Sequence, residues 1–400
     1  MRSRVLVLGA NFAGLTAALT VKHELRGDVD VTVVAPTEEF LFTPSLIWLP
    51  FGKRDRHDIT FPVEPTLHDH HIGFVRAAAV AIDPVGHSVT LDDRRILRYD
   101  YLVVATGFRN DNEVVPGFDA NASTITSLAA AERAGRAWQR FRDDPADVVV
   151  AAAQGAGCFG AAYEFLFNAA HELKRLGLRK QVRLTYVTAE PFLGHFGIGG
   201  LPRGEELLGT FLRHEGIATR IGVAVDRVEP GAVVLESGEE LPFGFGMVVP
   251  PFLGQEFLSR VPGLTDDKGF VTVRPTYQSE KYDDIYGVGA AVAVEAPWQT
   301  PVPVGIPKTG FPTEAMARTA AANIASQVRD EPVLAEERFA DMKAVCVLDA
   351  GNNGVVILAD KMLPPRNHGV LVPGPQAHWM KLGFEKYYLW KMRNGYAQLP

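Results

Sequence analysis

Twice in this chain a short apolar strand runs into a glycine turn and then a helix. No other feature of the sequence restricts the fold as strongly. The first copy is Arg4-Val-Leu-Val-Leu-Gly9-Ala-Asn11-Phe-Ala13-Gly14-Leu-Thr-Ala-Ala-Leu, with a second apolar strand at residues 29–34. The other is Val148-Val-Val-Ala-Ala-Ala-Gln154-Gly155-Ala-Gly157-Cys158-Phe-Gly160-Ala-Ala-Tyr163-Glu164, followed by an apolar strand at residues 182–188. Each reads as the opening of a βαβ unit, which implies a parallel sheet covered by helices. Gly155, Gly157 and Gly160 have the G-x-G-x-x-G spacing of a dinucleotide site, where a pyrophosphate lies against the turn and the helix N-terminus. In the first copy Asn11 replaces the middle glycine. Asparagine tolerates left-handed backbone angles, so the turn is expected to survive.

Composition narrows the class. With 400 residues, 47% hydrophobic and 22% charged, the chain can bury a substantial core and is expected to hold two or three domains. A net charge of −7 argues against nucleic acid as a partner. Met1-Arg-Ser-Arg4 leads directly into a strand, so no signal peptide is expected. No apolar run reaches the ~18 residues of a membrane span. The expected location is cytoplasmic, or peripheral on the inner face of the cell membrane.

Three further segments point to nucleotide binding. The acid that holds an adenosine ribose is expected at the end of the second strand. Here that end is Ala35-Pro36, and one of Glu38 and Glu39, Thr37 or the backbone must serve. Residues 99–104 form a buried strand ending in Ala105-Thr106-Gly107, which resembles the segment closing the first nucleotide domain of flavoproteins with two such domains. Residues 284–294, with Gly289, resemble the return strand that approaches the flavin. Pro307-Lys308-Thr309-Gly310 then leads into a helix over 314–327, whose N-terminus is placed to face the isoalloxazine carbonyl.

The expected fold class is therefore α/β, with two Rossmann-like dinucleotide-binding domains in a disulfide-reductase-like order plus a C-terminal α+β domain. Residues 1–115 and 270–330 are assigned to an FAD-binding domain and 116–269 to a second Rossmann-like domain carrying Cys158. Residues 331–400 form the C-terminal domain with Cys346. In that last piece, residues 344–348 and 355–359 flank Gly351-Asn352-Asn353-Gly354, a hairpin signal.

Cys158 stands inside the second glycine turn, where a side chain intrudes on a pyrophosphate. The adjoining helix N-terminus favours its thiolate. Either the turn is a degraded nicotinamide site or it carries a redox cysteine on a borrowed frame. The only other cysteine is Cys346. Two such distant cysteines make neither a metal-ligand motif nor a secreted disulfide scaffold, so no metal is expected.

The stretches Gln154–Glu164, 189–197 with His195, 301–310, Ala344-Val345-Cys346 and Gly383-Phe384-Glu-Lys-Tyr-Tyr-Leu together resemble the sulfide:quinone oxidoreductases, FAD-dependent members of the disulfide-reductase superfamily. The likeness runs from the first strand to about residue 394. It implies that Cys158 and Cys346 form a redox pair beside the flavin. Sulfide attacks a sulfur bridge between them, leaving one persulfide, and the released thiolate, Cys346, passes its electrons to the flavin. It also implies that Glu164 accepts protons from the incoming sulfide and that His195 assists near the redox site. Gly9, Asn11, Ala13, Gly14, Thr37, Ala105, Thr106, Gly107, Gly289, Lys308, Thr309 and Gly310 are the expected FAD contacts. Val345 and Phe384 would clamp a quinone ring while Lys381 meets its oxygen.

One departure stands out. A third cysteine that often occurs in the family is replaced by Thr126, which implies non-covalent FAD. Residues 378–393 are rich in aromatics, and Lys381, Lys386, Lys391 and Arg393 outnumber Glu385. That pattern suits a peripheral membrane surface. The chain lacks the longer tail of many relatives, so weak attachment supplemented by homo-oligomerisation or a neighbouring loop is expected. Three other readings compete. A type II NADH:quinone dehydrogenase would use the second glycine turn and Glu190. The flavin subunit of a sulfide dehydrogenase would pass electrons to a haem partner. A flavin redox sensor would show no turnover.

Overall fold

Residues 2–308, 310–333 and 335–399 are described by a computed structural model. The first βαβ opening forms as expected: strand Ser3–Leu8, helix Phe12–Leu25 and strand Val29–Ala35. Gly73–Arg76, Tyr101–Val104 and Ile285–Gly287 complete a five-stranded sheet. Its order is Ile285–Gly287, Tyr101–Val104, Ser3–Leu8, Val29–Ala35, Gly73–Arg76. All its pairings are parallel, and Leu8 is in register with both Val34 and Val104, which in turn pairs with Gly287. Four strands therefore end at one level. The loops that leave them, starting at Gly9, Pro36, Ala105 and Val288, share one carboxyl edge, where open parallel sheets take their ligands.

The second opening builds a separate parallel sheet in the order Ile217–Ile221, Leu184–Thr188, Val148–Ala152, Phe245–Val249. Every residue of Val148–Ala152 is buried, because a central parallel strand is covered on both faces. Helix Phe159–Arg175 follows it.

The chain then returns through Ile285–Gly287 to the first sheet. After helix Phe311–Val328 it forms an antiparallel sheet of Ala344–Asp349, Gly354–Ala359 and Gly369–Pro373, with the expected hairpin turning at residues 350–353. Helix Pro375–Arg393 packs across that sheet. Its Tyr388 ring stacks on Phe12 with centroids 4.8 Å apart and lies 5.7 Å from Phe42, joining the two ends of the chain.

This last helix has an inverted face pattern. Lys381, Glu385, Tyr388 and Lys391 point inward and are buried, whereas Trp379, Met380, Phe384, Tyr387 and Trp390 are exposed. Each inward charge has an opposite partner: Lys381 pairs with Glu164, Glu385 with Arg54 and Lys391 with Glu314. The expectation of a basic interfacial helix is corrected accordingly. Two of its four bases are consumed by internal ion pairs, and its outward face is aromatic. Among the described residues, no helix is long and apolar enough to cross a membrane.

Candidate redox and nucleotide site

At the carboxyl edge of the first sheet the glycine turn is sterically obligatory. Gly9 has φ +117°, and a Cβ there would lie 2.3 Å from the Ala105 carbonyl oxygen. At Gly14 a Cβ would lie 1.9 Å from the Gly9 carbonyl. Asn11 departs from its expected geometry. Its backbone is extended rather than left-handed, and its side chain instead accepts a hydrogen bond from the Leu41 N–H at 3.3 Å. Ala13 is buried against Gly289, where an added Cβ would come within 2.7 Å of it.

Several features of this edge fit a flavin dinucleotide. The first turn of helix Phe12–Leu25 contains no acid, so nothing opposes an anionic diphosphate there. The Thr106 hydroxyl is buried without a hydrogen-bond partner among the described residues. Gly107 and Gly310 have open space where a side chain would project. Lys308 donates to the Val292 carbonyl at 2.8 Å, and burial lowers its pKa to about 7. A cavity of about 370 Å³ opens beyond the second strand, lined by Pro36, Arg76, Ala77, Ala78, Asp92 and Asp93. Thr37 is exposed beside Pro36. Glu38 is ion-paired to Arg76 and Glu39 to Arg56. Thr309 lies outside the described residues.

The two cysteines lie at a helix–strand seam. Gly160, Glu164 and Asn168 follow one another at four-residue spacing on one face of helix Phe159–Arg175. That face lies on the strand Ala344–Asp349. Asn168 Nδ2 donates to the Asp349 carbonyl at 2.9 Å, and the Asp349 N–H donates to Glu164 Oε1 at 3.1 Å. A Cβ on Gly160 would sit 3.4 Å from Leu348 and 4.0 Å from the Cys158 sulfur. Cys346 is two residues before Leu348 and so shares its strand face, toward the Cys158 end.

Neither thiol is ready-made as a thiolate. Burial raises the pKa of Cys158, opposing the N–H groups of Ala161 and Gly160 at the helix start, and Glu164 adds to the rise. This corrects the expectation that the helix terminus would dominate. The Cys346 residue is exposed, yet close packing around its thiol and the negative charge of Glu164 and of Cys158 push it upward as well. Glu164 is buried, and that burial lifts its carboxyl to about 7 despite Lys381 against it.

The ion pair joins two residues expected on different sides of the flavin. Lys381 was assigned to the quinone oxygen and Glu164 to the sulfide. Here the Lys381 ammonium lies with Glu164, 5.1 Å from the centre of the Trp48 ring, and its charge reaches both thiols. Val345 and Phe384 are both exposed, Phe384 lying against Phe42 and Tyr388. His195 is buried, with its ring against Trp298 and Phe192 and its Nδ1 without a partner among the described residues. Burial and the nearby Arg366 lower its pKa to about 4. Among the described residues, no hydrogen bond joins it to either cysteine or to Glu164. Among the described residues, no group of three or more His, Cys, Asp or Glu could hold a metal ion.

The second glycine turn is covered by the chain itself. The Gly155 N–H donates to the Pro303 carbonyl at 2.7 Å. Gly305 lies so close that a Cβ on it would be 2.4 Å from the Ala156 oxygen. The Phe252 ring fills the space beside Gly157. Glu190, the acid a nicotinamide dinucleotide would need, is fully buried. It accepts hydrogen bonds from Tyr163 (2.8 Å), Tyr186 (3.2 Å), Thr188 (2.9 Å) and the Phe196 N–H (2.6 Å).

Sequence alone missed Asp349, Trp48 and His378, which complete the seam. Asp349 is fully buried and accepts from Trp48 Nε1 at 2.8 Å, and His378 Nδ1 lies 2.7 Å from its other oxygen. Only the placement of Asp349 at the end of the hairpin strand, three residues past Cys346, could have drawn attention to it.

Residues 3–317 match the family model for pyridine nucleotide-disulphide oxidoreductases, a class to which the two nucleotide-type parallel sheets also point. The chain is 34% identical over 405 residues to the sulfide-quinone reductase of Aquifex aeolicus, covering 99% of this chain and 92% of that one. The crystal structure of the sulfide:quinone oxidoreductase from that bacterium superposes with a TM-score of 0.94 over 98% of this chain and 92% of that chain. This chain belongs to the sulfide:quinone oxidoreductase family. A type II NADH:quinone oxidoreductase of Staphylococcus saprophyticus is more distant, 25% identical over 95% of this chain and 93% of its own length. The family implies FAD as cofactor.

Proposed function

We propose that this protein oxidises sulfide to sulfane sulfur at a Cys158–Cys346 pair and passes the electrons to a quinone. The observation that carries this reading is the seam that brings Cys158 and Leu348 to the same glycine, with Glu164 facing both thiols. A glutamate titrating near neutrality can take the proton of an incoming hydrosulfide. Lys381 then balances the carboxylate that re-forms. Raised thiol pKa values disfavour two free thiolates, and the charge of Lys381 offsets part of that rise when Cys346 is released as the leaving thiolate.

FAD, bound non-covalently, would supply the two-electron link between sulfur and quinone. Gly9, Ala13 and Gly14 would hold its diphosphate, and the cavity by Pro36 and Thr37 its adenosine. Ala105, Thr106, Gly107, Gly289, Lys308 and Gly310 would line its ring system. Val345 and Phe384 offer an apolar clamp for a quinone. The aromatic outer face of helix Pro375–Arg393 supports peripheral contact with the membrane that holds the quinone, through burial of apolar rings more than through charge.

NADH is disfavoured as donor, since Pro303, Gly305 and Phe252 occupy its turn and Glu190 is committed inside. The test is anaerobic mixing of the oxidised holoprotein with sulfide and, separately, with NADH while following flavin absorbance. Sulfide should bleach it rapidly and NADH hardly at all, and Cys158→Ser or Cys346→Ser should abolish the sulfide response. Bleaching by NADH would overturn the proposal. Quinone turnover then distinguishes this enzyme from a redox sensor or a haem-coupled subunit.

A further inference from the structure

We propose that Asp349 and His378 form the proton outlet of the sulfide site, His378 exchanging protons with water on behalf of the buried Glu164–Lys381 pair. The inference rests on the cysteine pair proposed above and adds to it where the protons go. Oxidation of one hydrosulfide to sulfane sulfur sends two electrons to the quinone and releases one proton; hydrogen sulfide releases two. That proton leaves sulfur inside the protein. The groups nearest the thiols that can take it, Glu164 and Lys381, are both buried.

Asp349 bridges Glu164 and the partly exposed His378. Its N–H holds Glu164 Oε1, and Asn168 ties the carbonyls of Glu164 (3.0 Å) and Asp349 (2.9 Å) together. Its carboxylate is clamped by Trp48 Nε1 and faces the charge of Lys381. Burial opposes its ionisation, yet the hydrogen bonds from Trp48 and His378 and the Lys381 charge keep its pKa below the ordinary value. An ionised Asp349 fixes the His378 tautomer with hydrogen on Nδ1, leaving Nε2 as the exchanging nitrogen. The His378 side chain is 20% exposed, while the Lys381 and Glu164 side chains are 5% and 8% exposed. His378 and Lys381 are three residues apart on one helix, so the two cross-links to strand and helix lie side by side. His171 and Lys53 also face this cluster, His171 across Asp349 and Lys53 through a 2.9 Å bond to Asn168.

The experiment uses the holoprotein and two variants, His378→Ala and Asp349→Asn. Flavin reduction by sulfide is followed by stopped flow from pH 6 to 9, with and without added imidazole. His378→Ala should react roughly a hundredfold more slowly, the lower end of the usual range for a lost acid–base group, and imidazole should restore much of the rate. A wild-type rate and pH profile, or a slow rate that imidazole leaves unchanged in a normally melting protein, would overturn the outlet. In parallel, iodoacetamide labelling of Cys158 and Cys346 in the thiol-reduced holoprotein is mapped against pH by mass spectrometry. Above pH 7, where Glu164 is ionised with or without Asp349, Asp349→Asn removes the negative charge that offsets Lys381, whose own charge lowers both thiols, so labelling should shift to lower pH. An unmoved labelling profile also counts against the proposal. Labelling does not require sulfide chemistry. If wild type fails to bleach with sulfide while labelling still shifts, the function has failed and the coupling of Asp349 to the thiols has not.

Discussion

Replacing the buried ion pair by neutral groups, as Glu164→Gln with Lys381→Met, should change how stability depends on pH. The Glu164 carboxyl has an ordinary value of 4.5 and sits near about 7 in the fold. Its folded value is above its unfolded value, so the proton-bound form favours folding. That contribution is complete below 4.5 and is lost as pH rises through 7. Each unit of difference corresponds to about 1.4 kcal/mol. Integrating the two titrations from pH 5 to pH 8 gives a loss of about 2–3 kcal/mol in the native protein from this group. The neutral pair has no such titration. Because buried ion pairs roughly break even against packed neutral side chains, the double variant should match wild type at pH 8, where the pair is ionised, and fall about 2–3 kcal/mol short of it near pH 5. Urea denaturation at both values, read by far-UV circular dichroism, measures this. Equal pH 5-to-8 losses in the two proteins, within about 0.5 kcal/mol, would refute the buried, proton-favouring site.

Lys391→Met should cost about 3–5 kcal/mol, since it strands Glu314 in the interface between helices Phe311–Val328 and Pro375–Arg393. Adding Glu314→Gln should recover much of that loss in thermal melts. Trp379→Glu with Trp390→Glu should abolish co-sedimentation with lipid vesicles while leaving sulfide-driven flavin bleaching intact. Neutralising exposed Lys386 and Arg393 should weaken binding far less, because the helix offers rings outward and keeps its other bases inside.

Both glycine turns, the strands before them and the C-terminal hairpin were legible in the chain, since they rest on local causes. Apolar runs make parallel strands, glycine spacing makes tight turns, and Asn352-Asn353 between glycines makes a hairpin. Cys158 was conspicuous because a side chain does not belong in a phosphate-binding turn. Cys346, its proposed partner, was marked by resemblance, because nothing local distinguishes a cysteine in an apolar strand.

Tertiary structure decided the rest. Local composition counted Lys381 and Lys391 among the bases of an interfacial helix, but both point inward, where they pair with Glu164 and Glu314 of distant helices. Asn11 took an extended backbone because the Leu41 N–H claimed its side chain. Helix-terminus logic predicted a thiolate at Cys158, and burial with a neighbouring carboxylate outweighed it. The second dinucleotide motif is intact as a string of residues, yet Pro303 and Gly305, some 150 positions later, close over it. Spacing along the chain records what a segment can form by itself. Which charges meet, and which turns stay open, depends on segments remote in sequence that only folding brings into contact.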